Sequence, residues 1–212
     1  MGIVGLFTST IGLITSITNF GLGTSAVRDI SEANATQDQK RISTVVTVIR
    51  KLVWATGLLG AIITLVLSPV LSQIAFGSKE YTIAFIWLSV TLLLNQLSTG
   101  QLVLLQGLRR LNDLAKAQLW GSIIGLAGTI PIYYIFGIKG IVPVIIITSV
   151  TALLLTWYYS RKIAVVKTEV TNRMVLKEGK SMITMGVMSS LTEIIGLLFG
   201  YIIRIYITNT GG

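Results

Sequence analysis

The chain contains no cysteine and no histidine among its 212 residues. Those absences exclude a disulfide framework, a thiolate nucleophile, a histidine acid/base pair and any Cys/His metal site. Carboxylates are scarce as well. Asp29, Glu32, Asp38, Glu80, Asp113, Glu169, Glu178 and Glu193 are the only ones, and no two of them make a general acid/base pair in an outer loop. Asp29 and Glu32 stand three apart at a helix end, where a solvated rim is the ordinary reading. Charged residues amount to 12% against 52% hydrophobic, with a mean hydropathy of +0.80, far from the roughly quarter-charged mix of soluble domains. No enzyme activity, metal or cofactor is expected of this composition.

What the chain does have is long stretches without charge. Residues 1–27, 52–78, 81–108, 117–138 and 140–160 carry none, and 181–203 carries only Glu193. A helix needs about 20 residues to cross the hydrocarbon core, so all six are long enough, with 1–27 the weakest. Transmembrane strands would need segments of about 10 alternating residues; these runs are twice as long and apolar on all faces. The expected fold is therefore an all-α membrane protein of about six transmembrane helices.

The basic residues state how the helices are threaded. Fourteen of the 17 Lys and Arg fall in three hinges: Arg28, Lys40, Arg41, Arg50 and Lys51; Arg109, Arg110 and Lys116; Arg161, Lys162, Lys167, Arg173, Lys177 and Lys180. Cytoplasmic loops retain Lys and Arg whereas translocated loops do not, so these hinges are cytoplasmic and the short turns near Lys79 and Lys139 face outward. The net charge of +9 is accounted for by this segregation, and no nucleic-acid partner is expected. Residue 1 would then start on the outer side with no basic residue before Arg28, an arrangement that predicts a preceding helix. The chain also stops in a turn at residues 209–212, so both ends read as cut.

Polar residues within the spans are the pointers to function, because each costs free energy unless it meets a partner or a wet cavity. Thr8, Gly12, Thr15 and Asn19 form a narrow stripe on the first helix, suited to lining a cavity or to close packing. The third helix carries Asn95, Gln96, Ser98, Thr99, Gln101 and Gln106, of which Asn95, Thr99 and Gln106 share a face. On the last helix Glu193 and Arg204 lie eleven apart, hence on one face, although Gly196 and Gly200 also make a small-xxx-small packing motif there. An ionisable residue in mid-span must be protonated, paired or hydrated, which makes Glu193 and Arg204 the sharpest candidates.

Several segments resemble a known family. Residues 105–111 (LQGLRRL) followed by Leu114, Ala115, Lys116 and Ala117, the stretch 131–143 (PIYYIFGIKGIVP), the run 157–162 (WYYSRK) and residues 21–28 (GLGTSAVR) are together similar to the early and middle helices of the Wzx-like O-antigen and polysaccharide flippases. These belong to the multidrug/oligosaccharidyl-lipid/polysaccharide (MOP) exporter superfamily. The resemblance implies a two-lobed MATE/MOP-type bundle of which this chain holds roughly half. Residues 1–160 would be helices one to five of an N-terminal lobe lacking its first helix, 161–180 a basic cytoplasmic linker, and 181–212 the truncated first helix of a second lobe.

It also implies a function, the flipping of an undecaprenyl-diphosphate-linked oligosaccharide across the bacterial inner membrane by alternating access. On that reading Arg204 contacts the diphosphate or sugar, Arg28 and Arg109 gather it at the cytoplasmic entrance, and Glu193 couples protons or sodium. Asn19, Thr15, Asn95 and Gln106 bind sugar hydroxyls. Membrane lipids and other polysaccharide-assembly proteins are the further partners implied. Two other classes remain open: a multidrug or cation antiporter of the same fold, which would prefer several cavity acids, and a membrane glycan polymerase or acyltransferase, which would need a long outer loop.

Overall fold

The computed structural model describes residues 12, 14–16, 18–163 and 171–210; the side chains of residues 75, 76, 138, 139, 172, 173, 177, 193, 194 and 197–210 lie outside that description. After helical residues at 12, 14–16 and 18, six helices follow one another among the described residues: α1 (Leu22–Ala35), α2 (Gln39–Phe76), α3 (Thr82–Gly107), α4 (Leu111–Phe136), α5 (Ile141–Ser160) and α6 (Asn172–Thr210), with a 3-10 turn, Gly137–Gly140, between α4 and α5. No strand occurs among the described residues.

Four of these helices are long and apolar enough to cross a membrane: Gln39–Ile74, Thr82–Gly107, Leu111–Phe136 and Ile141–Ser160. The protein is an all-α, multi-pass membrane protein, with four such spans rather than six among the described residues. The first expected span lies partly outside the described residues. The sixth falls within α6, most of whose outer side chains are also outside them.

Where the first span was expected to run unbroken, the helix is interrupted at residues 19–21, with Phe20 at φ 48° and Gly21 at φ 60°. A bulky residue rarely adopts that region, whereas glycine enters it freely, so the pair marks an imposed turn. Helix α1 restarts on the Gly21 carbonyl, which accepts from the backbone N–H groups of Thr24 and Ser25 and from both their hydroxyls. The neighbour that imposes the turn is α6. A Cβ built on Gly21 would collide with the Gly186 carbonyl, and one built on Gly186 would collide with that of Phe20. Backbone meets backbone there with no room for a methyl group.

The basic hinge between α1 and α2 shrinks to residues 36–38, because both helices run on beyond the bilayer. Asp38 caps α2 by accepting from the N–H of Lys40 at 2.8 Å. With 38 residues, α2 is about 57 Å long, nearly twice the roughly 30 Å hydrocarbon thickness. Pro69 lies inside it and cannot donate to the Leu65 carbonyl; the Ser68 hydroxyl donates there instead, at 2.8 Å. The helix ends at Gly77, φ 69°, whose N–H donates to the Gln73 carbonyl.

Helix α3 is the hub, packed against α1, α2, α4 and α5, while α4 pairs chiefly with α5. The packing inverts the soluble pattern. Trp54, Ile62 and Val66 of α2 and Leu119, Ile123, Leu126 and Ile130 of α4 are exposed, as lipid-facing residues are, whereas Thr56, Thr64, Ser68, Thr91, Gln96, Ser98 and Thr156 are buried. One apolar cluster gathers α1, α2 and the end of α3 with Met182 of α6; a smaller one, around Phe85, Leu88 and Ile141, holds the outer end.

At the end of the bundle where α2 begins, Arg41 of α2 grips Glu178 of α6 in a two-pronged ion pair, 2.8 and 3.1 Å. Asp29, on the projecting end of α1, has its pKa pushed up, mainly by burial and then by Glu32, against the opposing pull of Arg28.

Two outcomes follow from this architecture. Gly186→Ala drives a methyl into the Phe20 carbonyl and is expected to lower stability by about 1–3 kcal/mol. Gly23→Ala, where nothing lies within 4 Å, is expected to leave stability unchanged or raise it; thermal unfolding in detergent compares them. A carboxyl whose folded pKa is raised contributes stability below its unfolded value and loses it as pH rises through the folded one. Asp29→Asn is therefore expected to raise the melting temperature at pH 7 and to give no gain below about pH 4.

Candidate functional site: a polar seam and a hydroxyl-lined groove

The helical period of α3 points one amide inward. Gln96 stands one turn from buried Leu92 and two turns from buried Val103, and is itself only 6% exposed. Its Nε2 donates to Asn19 Oδ1 at 2.8 Å and to Thr56 Oγ1 at 2.9 Å. The Thr56 hydroxyl in turn donates to the Leu52 carbonyl at 2.9 Å. A single side chain thus ties the interrupted segment to α2 and α3, and a narrow cleft lined by Asn19, Gly23, Val53, Gln96, Thr99 and Gly100 runs beside it.

The opposite face of α3 is polar as well. Ser98 and Thr156 share a hydrogen bond at 3.2 Å, and the Ser160 hydroxyl donates to Gln101 Oε1 at 2.6 Å, so α5 is fastened along its C-terminal half. Between these contacts and α4 opens a groove of about 620 Å³. Its α4 wall is Ala117, Gly121, Gly125 and Thr129, four residues apart, with Gln118 and Ser122 beside them; its α5 wall is Thr148, Ala152 and Thr156.

The chemistry of that lining follows from where its protons go. Ser122 donates to the Gln118 carbonyl, Thr129 to Gly125, Thr148 to Val144 and Thr156 to Ala152, at 2.7 to 2.9 Å. With each hydroxyl proton committed to its own helix, the oxygens present lone pairs to the groove. Among the described residues that line it none is ionisable. The surface is neutral and, apart from the donor amide of Gln118, an acceptor, suited to hydroxyl groups and unsuited to desolvating a charge. Among the described residues no group of three metal-binding side chains occurs.

The expected site residues fall in four places. Asn19 sits in the seam, and Thr15, half-buried, lies one turn before it with its carbonyl accepting from the Asn19 N–H. Asn95 and Gln106 are half-buried on α3; the Gln106 carbonyl accepts from the Arg109 N–H, closing a turn in which Arg109 has φ 57°. Arg28 and Arg109 are both exposed, with Arg28 Nη1 3.3 Å from Met185 Sδ of α6. Glu193 and Arg204 are on α6, their side chains outside the described residues.

Gln96, Thr56 and the groove were missed by sequence reasoning. The Asn95–Gln96 pair offers two amides at adjacent angles, and only the burial of Leu92 and Val103 on the Gln96 face separates them. The four-residue repeat of small and hydroxyl residues on α4 and α5 was a legible signal for the groove.

Replacing Gln96 with Leu strands the Asn19 and Thr56 oxygens. Buried bonds in soluble proteins cost about 1–3 kcal/mol to strand, but in bilayers separated helices find other partners and each bond averages nearer 0.6. The expected loss is about 1 kcal/mol, a fall of roughly 2–4 °C in melting temperature. Asn95→Leu is expected to shift it less.

No curated protein and no solved structure matches the chain. The model of one family does, that described as polysaccharide biosynthesis protein, over residues 1–210. A match of nearly full length, on a chain of apolar spans with a polar interior, assigns this protein to the polysaccharide biosynthesis family, that of the Wzx-like flippases and MOP exporters.

Proposed function

We propose that the chain serves as part of a flippase that carries an undecaprenyl-diphosphate-linked oligosaccharide from the inner to the outer leaflet of the bacterial inner membrane. Membership of the polysaccharide biosynthesis family supports a glycan cargo, and the observation that carries the reading further is the neutral, hydroxyl-lined groove among α3, α4 and α5. A hydrated glycan cannot cross hydrocarbon unless its hydroxyls are met along the way. A groove of hydroxyl oxygens meets them without trapping a charge.

The diphosphate asks for the opposite environment. Arg28 and Arg109, exposed at the cytoplasmic end, are placed to gather it, since a guanidinium stays ionised and its fork matches phosphate oxygens. On this reading Arg204 continues the path on α6, and Glu193 couples the cycle to protons or sodium. Seam residues Asn19 and Thr15 hold the wall of the passage, with Asn95 and Gln106 on α3 contacting sugar. The reading makes the protein a transporter and not an enzyme. The absence of a carboxylate in the groove lining favours it over a cation antiporter of the same fold.

Proteoliposomes that hold the complete transporter and a fluorescent lipid-linked oligosaccharide test the reading through loss of fluorescence to a membrane-impermeant quencher. Filling the groove with Gly125→Leu and Thr148→Leu is expected to slow flipping at least about tenfold, about 1.4 kcal/mol in the barrier, while lipid-facing Leu119→Ile leaves it unchanged. Arg204→Ala and Glu193→Ala are each expected to reduce it. Wild-type rates in the groove-filled variant would remove the groove from the path, and wild-type rates in both α6 variants would remove those two roles.

A further inference from the structure

The cytoplasmic end of α5 carries a group of side chains that neither the seam nor the groove employs. Arg161 lies over the rings of Trp157 and Tyr158, its guanidinium carbon 5.2 Å from each centroid. Lys162 Nζ lies 4.8 Å from the centroids of Tyr158 and Tyr159, and those two rings meet edge to face at 5.3 Å. Among the described residues neither cation pairs with a carboxylate. The rings hold both charges at cation–π distance.

The group is held in place from both sides. Ser160, 1% exposed, donates to Gln101 Oε1 of α3 at 2.6 Å, which pins the last turn of α5. Three residues on, Ile163 packs against the apolar cluster of α1, α2 and α3. Just before the first anchor Trp157 and Tyr158 are half exposed and Leu154, one turn deeper, is 58% exposed, and between the two anchors Arg161 and Lys162 project from the end. The surface therefore changes over two turns of helix from apolar, through amphipathic rings, to a double positive charge.

We propose that this surface is a binding site for an anionic phospholipid of the cytoplasmic leaflet. Its phosphate would sit on the Arg161 and Lys162 N–H groups, its glycerol against Trp157 and Tyr158, and its acyl chain along Leu154. Charge complementarity selects the anion, and the order of polarity selects a lipid over a free anion. A soluble phosphate gains nothing from exposed Trp157 and Leu154, whereas a headgroup at the interface meets all five residues at their natural depths. The general retention of basic residues on the cytoplasmic side explains why Arg161 and Lys162 are present; it does not explain why both are laid on aromatic faces beside a pinned helix end. The site stands independently of the transport reading, since it makes no use of the groove, Glu193 or Arg204.

The full chain, purified in a neutral detergent, is titrated with phosphatidylglycerol and with phosphatidylcholine, and bound lipid is counted by native mass spectrometry. Wild type is expected to favour phosphatidylglycerol. The double variant Arg161→Gln, Lys162→Gln is expected to bind it roughly 30-fold more weakly, each basic residue near an anionic surface contributing about fivefold. The conservative pair Arg161→Lys, Lys162→Arg is expected to retain the preference. Equal binding of the two lipids by wild type, or unchanged affinity in the double variant, overturns the proposal.

If the double variant does not fold, lipid brominated in the acyl chain reads the same question in wild type. Quenching by brominated phosphatidylglycerol should exceed that by brominated phosphatidylcholine, and the excess should vanish in Trp157→Phe; equal quenching overturns the proposal. Displacement of phosphatidylglycerol by substoichiometric undecaprenyl diphosphate would overturn it too, by showing a cargo site instead.

Discussion

Hydrocarbon offers no hydrogen bonds, and the rest of this structure is arranged around that fact. Every backbone group in a span must be met from within the chain, so the described spans are helical and the hydroxyls along them turn back on their own carbonyls. The same constraint explains Ser68, whose hydroxyl supplies the donor that Pro69 lacks. It also explains why Gln96 is bound twice, since an unmet amide there would be costlier than the rigidity that its two bonds impose. The helices are held by close contact and polar pairing rather than by burial of apolar surface, which lipid provides in any case.

Two kinds of polar interior result, and they differ in chemistry. On one side of α3 donors and acceptors are matched one to one, from Asn19 through Gln96 to Thr56, leaving little for a ligand. On the other side the hydroxyls satisfy their own helices and leave oxygen lone pairs facing open space. The first is a fastening and the second a surface to which a polyol can bind.

Much of the fold was legible in the order of the residues. Runs without charge mark the spans, so the order of α2 to α5 could be read directly. The turn at Phe20 could not. Gly21 permits a left-handed backbone, but what requires it is Gly186, 165 positions later, and no local pattern carries that contact. The helical extensions through Ala35 and from Gln39 were hidden for a related reason: charge ends a span without ending a helix. Of the polar candidates Asn19 was legible because it is the one amide in its run, whereas Asn95 and Gln96 compete at adjacent angles and only tertiary neighbours decide between them.

The contact between the turn at residues 19–21 and α6 limits how the last helix can travel. Gly186 touches the Phe20 and Gly21 backbone, and its chain neighbours are Met185 and Val187. A slide of α6 by one turn, about 5.4 Å, would bring the side chain of Met182 or Ser190, four residues away on the same face, to a spot that excludes even a methyl group. Swivelling is free of that obstacle, because two bare peptide chains crossing at a point can pivot like scissor blades. Should α6 change its tilt, the small angle taken up at this rivet would be read out as a large sweep at its far tip.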